Sequence, residues 1–420
     1  MVDMDRRAAL TALGTAAAAT AIAQTAQAAT RKAPAIGRNL PDIAVVGAGA
    51  FGAWTALCLR ERGAKVTLID SYGAGNARQT SGDETRQIRA AYGDREIYTR
   101  WAMKAFTRWH ERQDEFKRRL IYANGVVTPH QKPESVKAQL ALFDKLKIPY
   151  EMLTGDELAK RWPQGRYDDI DVAMFEPRAG TVKARESIIA ASEVFRQKGG
   201  TVKLGMAKPG ASTGGRITDL ALASGERLST GMAIFACGPW LPTLFPTFMD
   251  GFISRRRNEV FYIGSPPGDD RYHVERFPNM YHGDGMAGAG YSLSDVDYGF
   301  KVAPSAGASI PMDPDSGERI ASNFVLDYAL EFVKMRVPGL VGQPVVASRV
   351  CTIESSDNGH YIIDTHPEFQ NVWIAGGGSG HAFKMGPQTG EYLADRVLDI
   401  TDPAEEKALF SLASHGRARA

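Results

Sequence analysis

The apolar positions near the start of the chain form two short runs separated by one helical stretch. Ile43 to Val46 is a four-residue apolar run, and Lys65 to Ile69 is a second run rich in β-branched residues. Between them, Ala53 to Arg62 has a helical pattern, and Gly63 ends it. The pattern therefore predicts a strand–helix–strand unit of the kind that builds a parallel sheet.

Apolar, β-branched runs continue to alternate with helical patterns over the rest of the chain, which is typical of an α/β protein. The pattern predicts further helices over Asp94 to Leu120, Glu134 to Leu146, Ser187 to Lys198 and Pro387 to Ile400. It predicts further strands over Thr201 to Leu204, Met232 to Gly238, Arg255 to Gly264, Phe300 to Val302 and Asn371 to Ala375.

The turn between the first strand and the first helix has the spacing GxGxxG, formed by Gly47, Gly49 and Gly52. The first glycine allows a tight turn, the second lets the backbone approach a pyrophosphate, and the third allows close helix–strand packing. The helix N-terminus near Ala50 and Phe51 supplies amide groups and the positive end of a dipole. In this context the motif predicts a dinucleotide site; the alternative is a glycine-rich unit that binds nothing.

Further stretches narrow the choice of dinucleotide. Asp70 ends the second strand, where it can accept hydrogen bonds from a ribose, and Ser71 follows it. The segment from Thr80 to Gly93 does not begin as the second repeat of a nicotinamide enzyme does. Asn371 to Gly390 contains another strand, a glycine-rich turn and a helix. A phosphate-binding turn near each end of the chain indicates an extended cofactor held by both, which points to FAD.

Length and charge limit the classes of function. The 420 residues are enough for two or three domains, and the 44% hydrophobic content is ordinary for a globular protein with a sizeable core. The formal net charge is +2, which gives no electrostatic basis for binding nucleic acid or an anionic membrane. We therefore expect a small-molecule partner and no nucleic acid.

The first residues have the pattern of a targeting segment. Arg6-Arg7 is a twin arginine, Leu10 to Ala23 is weakly hydrophobic, and Ala26-Gln27-Ala28 matches a cleavage site. We predict a twin-arginine signal peptide over residues 1–28, a linker over 29–40, and a periplasmic or secreted enzyme; the alternative is a disordered Ala-rich tail. A stable membrane anchor is not expected, because the stretch has no strongly apolar span of 18 residues.

Four motifs together resemble the monomeric sarcosine oxidase and N-methyl amino acid oxidase group of the D-amino-acid-oxidase-like flavoproteins. One is the GxGxxG turn. The others are TRQIRAAYG at Thr85 to Gly93, VCTIESSDNGHYIID at Val350 to Asp364, and GSGHAFK at Gly378 to Lys384. The resemblance extends over most of the chain, from Asp42 to about Ile400.

The resemblance implies an α/β fold with a discontinuous, Rossmann-type FAD-binding domain and an inserted mixed-sheet α+β substrate domain. The FAD-binding domain would comprise residues 41–125, 179–250 and 338–400. The substrate domain would comprise residues 126–178 and 251–337, and residues 401–420 would form a C-terminal tail. The resemblance also implies a monomer without a metal.

Cys351 is the residue that the resemblance implicates in covalent attachment of the flavin. It matches a family cysteine that forms a thioether to the flavin 8α-methyl carbon, and His360 and Asp364 match the residues that follow it. The alternative is a buried free cysteine, which is how we interpret Cys58 and Cys237.

The resemblance also assigns the basic residues of the active site. Lys301, in the strand GFKV, matches a lysine near flavin N5 that activates dioxygen; Arg89 and Lys384 match a pair that binds the substrate carboxylate. Arg86 matches a residue close to the flavin ring. The alternatives are a surface lysine for Lys301 and solvated charges for the pair.

The remaining cofactor contacts implied by the resemblance lie in two turns. Trp240 belongs to a turn that the family places against the cofactor, and the helix starting near Pro387 would direct its N-terminus toward the flavin. The second glycine-rich turn and its continuation would border the flavin, through Gly377, Gly378, Gly380, His381 and Lys384.

The chain departs from the family at positions that approach the substrate cavity. A histidine pair is replaced by Ser81-Gly82, a further histidine by Ser305, and a tyrosine by Ile353. Since the carboxylate-binding pair is retained while the other contacts differ, we expect an α-amino acid, secondary or primary, whose side chain differs from that of sarcosine.

The sequence therefore predicts a sarcosine oxidase-like, FAD-dependent amino-acid oxidase. Hydride would pass from the carbon beside the amine to flavin N5, the imine would hydrolyse, and O2 would be reduced to H2O2. Three alternatives stay open: a flavin dehydrogenase that passes electrons to quinone or a protein acceptor, a catalytically idle flavoprotein with a binding role, and a nicotinamide dehydrogenase.

Overall fold

The computed structural model describes residues 40–130, 133–282, 290–308 and 310–416. The predicted signal peptide and all but the last residue of the predicted linker lie outside the described residues. Within the described ranges, no helix is both long enough and apolar enough to cross a membrane.

The strands follow one another along the described chain in this order: β1 (Ile43–Val46), β2 (Val66–Asp70), β3 (Thr85–Ile88), β4 (Ile121–Tyr122), β5 (Val126–His130), β6 (Glu151–Leu153), β7 (Val172–Glu176), β8 (Gly180–Lys183), β9 (Thr201–Leu204), β10 (Ala207–Pro209), β11 (Ser212–Thr213), β12 (Arg216–Ile217), β13 (Asp219–Leu222), β14 (Arg227–Ser229), β15 (Met232–Phe235), β16 (Ile253–Ile263), β17 (Asn279–Tyr281), β18 (Gly290–Leu293), β19 (Phe300–Pro304), β20 (Val345–Ser356), β21 (Ile362–Thr365) and β22 (Val372–Gly376).

The α-helices of the described chain are α1 (Ala50–Glu61), α2 (Glu96–Phe116), α3 (Lys137–Leu146), α4 (Gly155–Arg161), α5 (Ala184–Gln197), α6 (Leu241–Leu244), α7 (Pro246–Met249), α8 (Asn323–Arg336), α9 (Gly386–Val397) and α10 (Ala404–Phe410). Short 3-10 helices occupy Pro133–Val136, Gly238–Trp240, Pro338–Leu340, Phe383–Met385 and Leu412–Ser414.

The first sheet has six strands in the order β21-β22-β15-β1-β2-β9, and all neighbours are parallel except β21 and β22. Its central strand β1 is buried along its whole length, as an apolar run between two parallel neighbours should be. Helices α1 and α9 pack together beside this sheet. They approach closely at Gly390, where an added Cβ would lie 2.6 Å from the Cβ of Trp54.

The second sheet has eight strands in the order β20-β16-β19-β18-β17-β5-β7-β6. It is mixed, because β17 runs parallel to β5 while the other neighbours are antiparallel. The predicted α/β class, with a Rossmann-type sheet and a mixed sheet, is confirmed. Strand β20 pairs with β16 in the mixed sheet, although the predicted boundaries assign it to the FAD-binding domain.

Smaller sheets complete the described fold. Strands β3, β8 and β4 form an antiparallel group in the order β3-β8-β4, which carries the TRQIR motif beside the cavity described below. Strands β10, β13 and β14 form another three-stranded sheet, and β11 pairs with β12.

Two predicted element boundaries near the cofactor motifs are wrong. Helix α1 begins at Ala50 rather than Ala53, because Gly49 is already its N-cap residue. The strand predicted to reach Gly238 ends at Phe235, and the Gly-Pro-Trp segment that follows forms a 3-10 helix. In the first place the helix begins inside the glycine motif, and in the second the strand ends before the apolar run does.

Candidate active site

The main cavity has a volume of about 570 Å³ and lies where the two large sheets meet. Its walls come from the ends of β1 and β15, from the TRQIR segment, from β17, β18 and β20, and from the turn after β22. Residues from both ends of the described chain therefore face the same space, as expected for an extended cofactor.

The turn after β1 uses its three glycines in different ways. Gly47 has φ +99°, and an added Cβ would lie 2.4 Å from the Ala236 carbonyl oxygen. An added Cβ on Gly52 would lie 1.8 Å from the Gly47 carbonyl oxygen. At Gly49 the nearest atom, Ser81 Oγ, would be 3.6 Å away. The outer two glycines are therefore required by the fold, whereas a Cβ at Gly49, which lines the cavity, would make only an ordinary van der Waals contact.

The first turn of α1 points into the cavity through Ala50 and Phe51. Its N-cap is Gly49, so no side chain there accepts a hydrogen bond from the first-turn amides. Asp70 and Ser71 line the same region, and Asp70 Oδ2 accepts a hydrogen bond of 2.8 Å from the Ala48 N–H. This arrangement fits a pyrophosphate at the helix N-terminus and a ribose beside the carboxylate.

The turn after β22 forms the opposite wall. Gly378, Gly380 and His381 line the cavity, whereas Gly377, with φ +67°, turns the chain behind them. Trp240 also lines the cavity, and its indole Nε1–H donates a hydrogen bond of 2.9 Å to Asp315 Oδ1.

His381 is held as a neutral imidazole in this wall. Its Nε2 lies 3.0 Å from the Gly359 carbonyl oxygen, and its Nδ1 lies 3.1 Å from the Tyr361 hydroxyl. Burial, assisted by the positive charges of Lys384 and Arg89, lowers the pKa of His381 to about 3. An uncharged ring with both nitrogens engaged serves as a wall and not as an acid.

Arg89 and Lys384 line the cavity among tyrosines. The Arg89 guanidinium lies 4.1 Å from the ring centroid of Tyr281, and Lys384 Nζ donates a hydrogen bond of 3.2 Å to the Tyr92 hydroxyl. Within the described residues neither cation has a carboxylate at ion-pair distance, although the buried carboxyl of Glu176 interacts electrostatically with both. Burial, together with Arg89, holds the pKa of Lys384 well below its ordinary value.

Arg86 also lines the cavity and belongs to a buried network. It forms an ion pair with Asp83 and donates a hydrogen bond of 2.7 Å to the Thr80 carbonyl oxygen. Asp83 also forms an ion pair with Lys301, which is 1% exposed and does not line the cavity. Lys301 therefore lies one layer behind the wall, and its Nζ is 5.6 Å from the ring centroid of Tyr291, a wall residue.

Cys351 also lies behind the cavity wall, in β20. It is 2% exposed, and burial raises the pKa of its thiol. Ile353, two residues further along and therefore on the same face of the strand, lines the cavity. Asn258, which pairs with Cys351 across the sheet, lines it too. All three cysteines are free.

Sequence reasoning missed Glu354, which lines the cavity three residues after Cys351. Its Oε1 accepts a hydrogen bond of 2.9 Å from the Gly378 N–H, and its Oε2 has no hydrogen-bond partner among the described residues. Burial raises the pKa of Glu354 to about 7. The available signal was that Glu354 is the one charged residue between Cys351 and Ser356.

The residues present fit FAD. The Gly49 cradle, the open first turn of α1 and the Asp70 carboxylate suit the adenosine diphosphate half, while the turn at Gly378 to His381 borders the space left for the flavin half. Over the described residues, no group of three or more His, Cys, Asp or Glu side chains is placed to hold a metal ion.

Comparisons with known proteins agree with the fit of this site to FAD. Residues 42–396 match the DAO family, described as FAD dependent oxidoreductase. The chain is 26% identical to monomeric sarcosine oxidase from Arthrobacter sp. strain TE1826 over 385 residues, which is 88% of this chain and 95% of that protein. It is 25% identical to human peroxisomal sarcosine oxidase over 390 residues, which is 89% of this chain and 96% of that protein.

Solved structures share the fold. The crystal structure of L-proline dehydrogenase from P. horikoshii matches with a TM-score of 0.76 and 18% sequence identity, over 88% of this chain and 96% of that chain. A thermally stable mutant of fructosyl peptide oxidase matches with a TM-score of 0.76 and 19% identity, over 89% of this chain and 94% of that chain.

Proposed function

The chain belongs to the DAO family of FAD-dependent oxidoreductases, and on this premise we propose that it oxidises the C–N bond of an α-amino acid, secondary or primary. The sarcosine oxidases to which it is similar act, by their names, on an N-methyl amino acid. The observation that supports an amino acid here is the pair Arg89 and Lys384, which face the cavity and, within the described residues, form no ion pair with a carboxylate.

The first step is binding of the substrate carboxylate. A guanidinium offers two parallel donors, and an ammonium adds a point charge. Because the pKa of Lys384 is held down by burial and by Arg89, an arriving anion would favour its charged form. Tyr281 and Tyr92 hold the two cations in place, so the bound amino acid is oriented before any bond changes.

The cofactor supplies the electron acceptor. When bound, FAD takes up the two electrons of the C–H bond beside the amine, and O2 is the proposed final acceptor, yielding H2O2. Gly49 and the first turn of α1 would hold its pyrophosphate, and Asp70 would hold the adjoining ribose. We propose that Lys301, one layer behind the wall, contributes positive charge that favours electron transfer to dioxygen.

We propose that the flavin is attached to Cys351. The attachment would replace the thiol S–H bond and one methyl C–H bond with a C–S bond, and O2 would accept the two electrons and two protons released. The position of Ile353 and Asn258 in the cavity wall supports this, because both adjoin Cys351 in the sheet.

We also propose export by the twin-arginine route to the periplasm or beyond. Arg6-Arg7 and Ala26-Gln27-Ala28 carry this proposal, and both lie outside the described residues. The route suits a flavoprotein because it transports folded proteins that already hold their cofactor.

The function is tested by anaerobic bleaching of the flavin with a panel of amino acids, each paired with its decarboxylated amine. We expect bleaching by one or more amino acids, with the amines roughly 30- to several-thousand-fold weaker in apparent affinity, because they lack the charge-assisted contacts. Arg89→Gln should remove this preference, whereas Arg100→Gln, which changes a surface ion-pair residue, should keep it.

Three results would contradict parts of the proposal. An amine that bleaches the flavin as well as its parent amino acid means that the pocket does not recognise a carboxylate. Absence of bleaching by every compound favours an idle flavoprotein. Bleaching that is reversed by a quinone and not by O2 identifies a dehydrogenase.

A further inference from the structure

The network behind the cavity wall contains one carboxylate shared by two cations. Asp83 Oδ2 accepts hydrogen bonds from both Arg86 and Lys301. Asp83 Oδ1 accepts a hydrogen bond of 2.5 Å from the Tyr262 hydroxyl and one of 2.8 Å from the Glu84 N–H. Asp83 is 0% exposed, so every one of its contacts is made inside the protein.

Both cations are fixed by additional contacts. Lys301 Nζ donates a hydrogen bond of 2.7 Å to the Thr85 carbonyl oxygen, and Lys301 pairs with Tyr262 across β19 and β16. Arg86 donates to the carbonyl oxygens of Thr80 and Thr85 at 2.7 and 2.9 Å. Asp83 therefore forms ion pairs both with Arg86, which lines the cavity, and with the buried Lys301, which does not.

The charges around Asp83 do not balance without it. Burial opposes the charged form of Asp83, yet Lys301 and Arg86 outweigh burial and lower the pKa of that carboxyl. The other titratable groups facing the cluster are Tyr262, Tyr291 and Cys351, and burial raises the pKa of Tyr262 and of Cys351.

The neighbouring carboxylate of Glu84 does not replace Asp83. Its Oε1 instead forms ion pairs with two other residues: it lies 3.6 Å from a guanidinium nitrogen of Arg185 and 3.3 Å from one of Arg349. Within the described residues Asp83 is thus the carboxylate that balances Lys301.

Loss of Asp83 would leave two buried cations side by side. Arginine retains its proton in proteins, whereas a buried lysine without a partner gives its proton up. The cheapest response of the cluster is therefore that Lys301 becomes neutral, because burying an unpaired charge is costly.

We propose that Asp83 is a positioning residue that keeps Lys301 in its charged form and holds its ammonium group behind the cavity wall. The proposed function adds that the charge of Lys301 favours electron transfer to dioxygen, and this part rests on that function. The charged state of Lys301 does not depend on the proposed function and is tested separately.

The first experiment measures unfolding against pH for wild type, Asp83→Asn and Asp83→Asn/Lys301→Met. In Asp83→Asn, Lys301 is neutral when folded and takes up a proton on unfolding, so stability rises with pH between 6 and 9. The unfolding equilibrium constant should fall by up to about tenfold per pH unit relative to wild type. The double variant, and the control Glu84→Gln, should show no such added slope.

The outcomes are distinct. An equal loss of stability at every pH in Asp83→Asn would overturn the proposal, since it indicates a structural hydrogen bond only. If Asp83→Asn does not fold, the proposal requires that Asp83→Asn/Lys301→Met folds, because the stranded lysine has been removed. Failure of both variants to fold overturns it as well.

The second experiment measures re-oxidation of the reduced flavin by O2 across the same pH range. Because Lys301 is neutral in folded Asp83→Asn throughout this range, that variant should be re-oxidised slowly at every pH, close to Lys301→Met, which we expect to be roughly 10²- to 10³-fold slower than wild type. If the unfolding slope appears and re-oxidation is unchanged, the role of Asp83 stands and the oxygen role proposed for Lys301 is wrong.

Discussion

The Cys351 thiol lies among charged groups that belong to the same buried network. Arg86, Lys301 and Asp83 all act on it electrostatically, and burial raises the pKa of the thiol. A thiol in this state is a poor spontaneous nucleophile. Attachment of a flavin at this position therefore depends on placement of the thiol beside the cofactor. Removal of the Cys351 sulfur should abolish the covalent bond.

We predict that Cys351→Ala releases FAD on acid denaturation, whereas wild type keeps its yellow colour in the precipitate. The matched control is Cys237→Ala, because Cys237 also lines the cavity and its Sγ donates a hydrogen bond of 3.4 Å to the Val46 carbonyl oxygen. Absorbance of the pellet and supernatant gives the result. Colour in the wild-type supernatant would disprove a covalent bond, and release only from Cys237→Ala would relocate it.

Two glycines at the start of α1 have different roles: Gly52 is required for folding, and Gly49 is assigned to cofactor binding. Gly52 is needed because a side chain there would collide with the Gly47 carbonyl oxygen, whereas a Cβ at Gly49 would make only an ordinary contact with Ser81 Oγ. We predict that Gly52→Ala destabilises the protein by about 3 kcal/mol through overpacking. Gly49→Ala should leave folding nearly unchanged and weaken FAD binding at least tenfold, because the backbone can no longer approach the phosphates.

The comparison is made in a Cys351→Ala background, so that FAD binding is reversible. Chemical unfolding of the flavin-free protein measures stability, and quenching of FAD fluorescence measures affinity. Equal losses of stability in the two variants would contradict the separate roles assigned to the glycines.

Elements whose evidence is local could be predicted from the sequence, and those that depend on distant pairing could not. The β1–α1–β2 unit and its glycine turn follow from short-range pattern and were correct apart from the first helical residues. The assignment of β20 depends on its pairing with β16, some ninety residues earlier, which no local pattern indicates. Asp83 and Glu354 were missed because their partners are distant in sequence: Asp83 contacts Lys301, and Glu354, although it lies in the Val350 to Asp364 motif, contacts the Gly378 N–H.

At the scale of the whole molecule, the cavity is complete only when distant parts of the chain have met. Its walls run from Val46 to Lys384, and its floor includes strands of both large sheets. A chain held unfolded for transport would have neither the Gly49 cradle nor the turn at Gly378 in place. FAD binding must therefore follow folding of nearly all the described residues.

Since FAD binding follows folding, we predict that export acts on a folded protein, and this can be tested with the full chain. If the enzyme binds FAD before transport, Arg6→Lys/Arg7→Lys should leave a folded, flavin-loaded precursor in the cytoplasm, active in extracts and uncleaved at Ala28. The matched control changes Arg31 and Lys32, in the predicted linker, to glutamine and should preserve export. Fractionation, immunoblotting for precursor length and flavin absorbance distinguish the cases. Normal periplasmic activity in the twin-lysine variant would show that the segment is not a twin-arginine signal, whereas a cytoplasmic precursor without flavin would separate transport from cofactor loading.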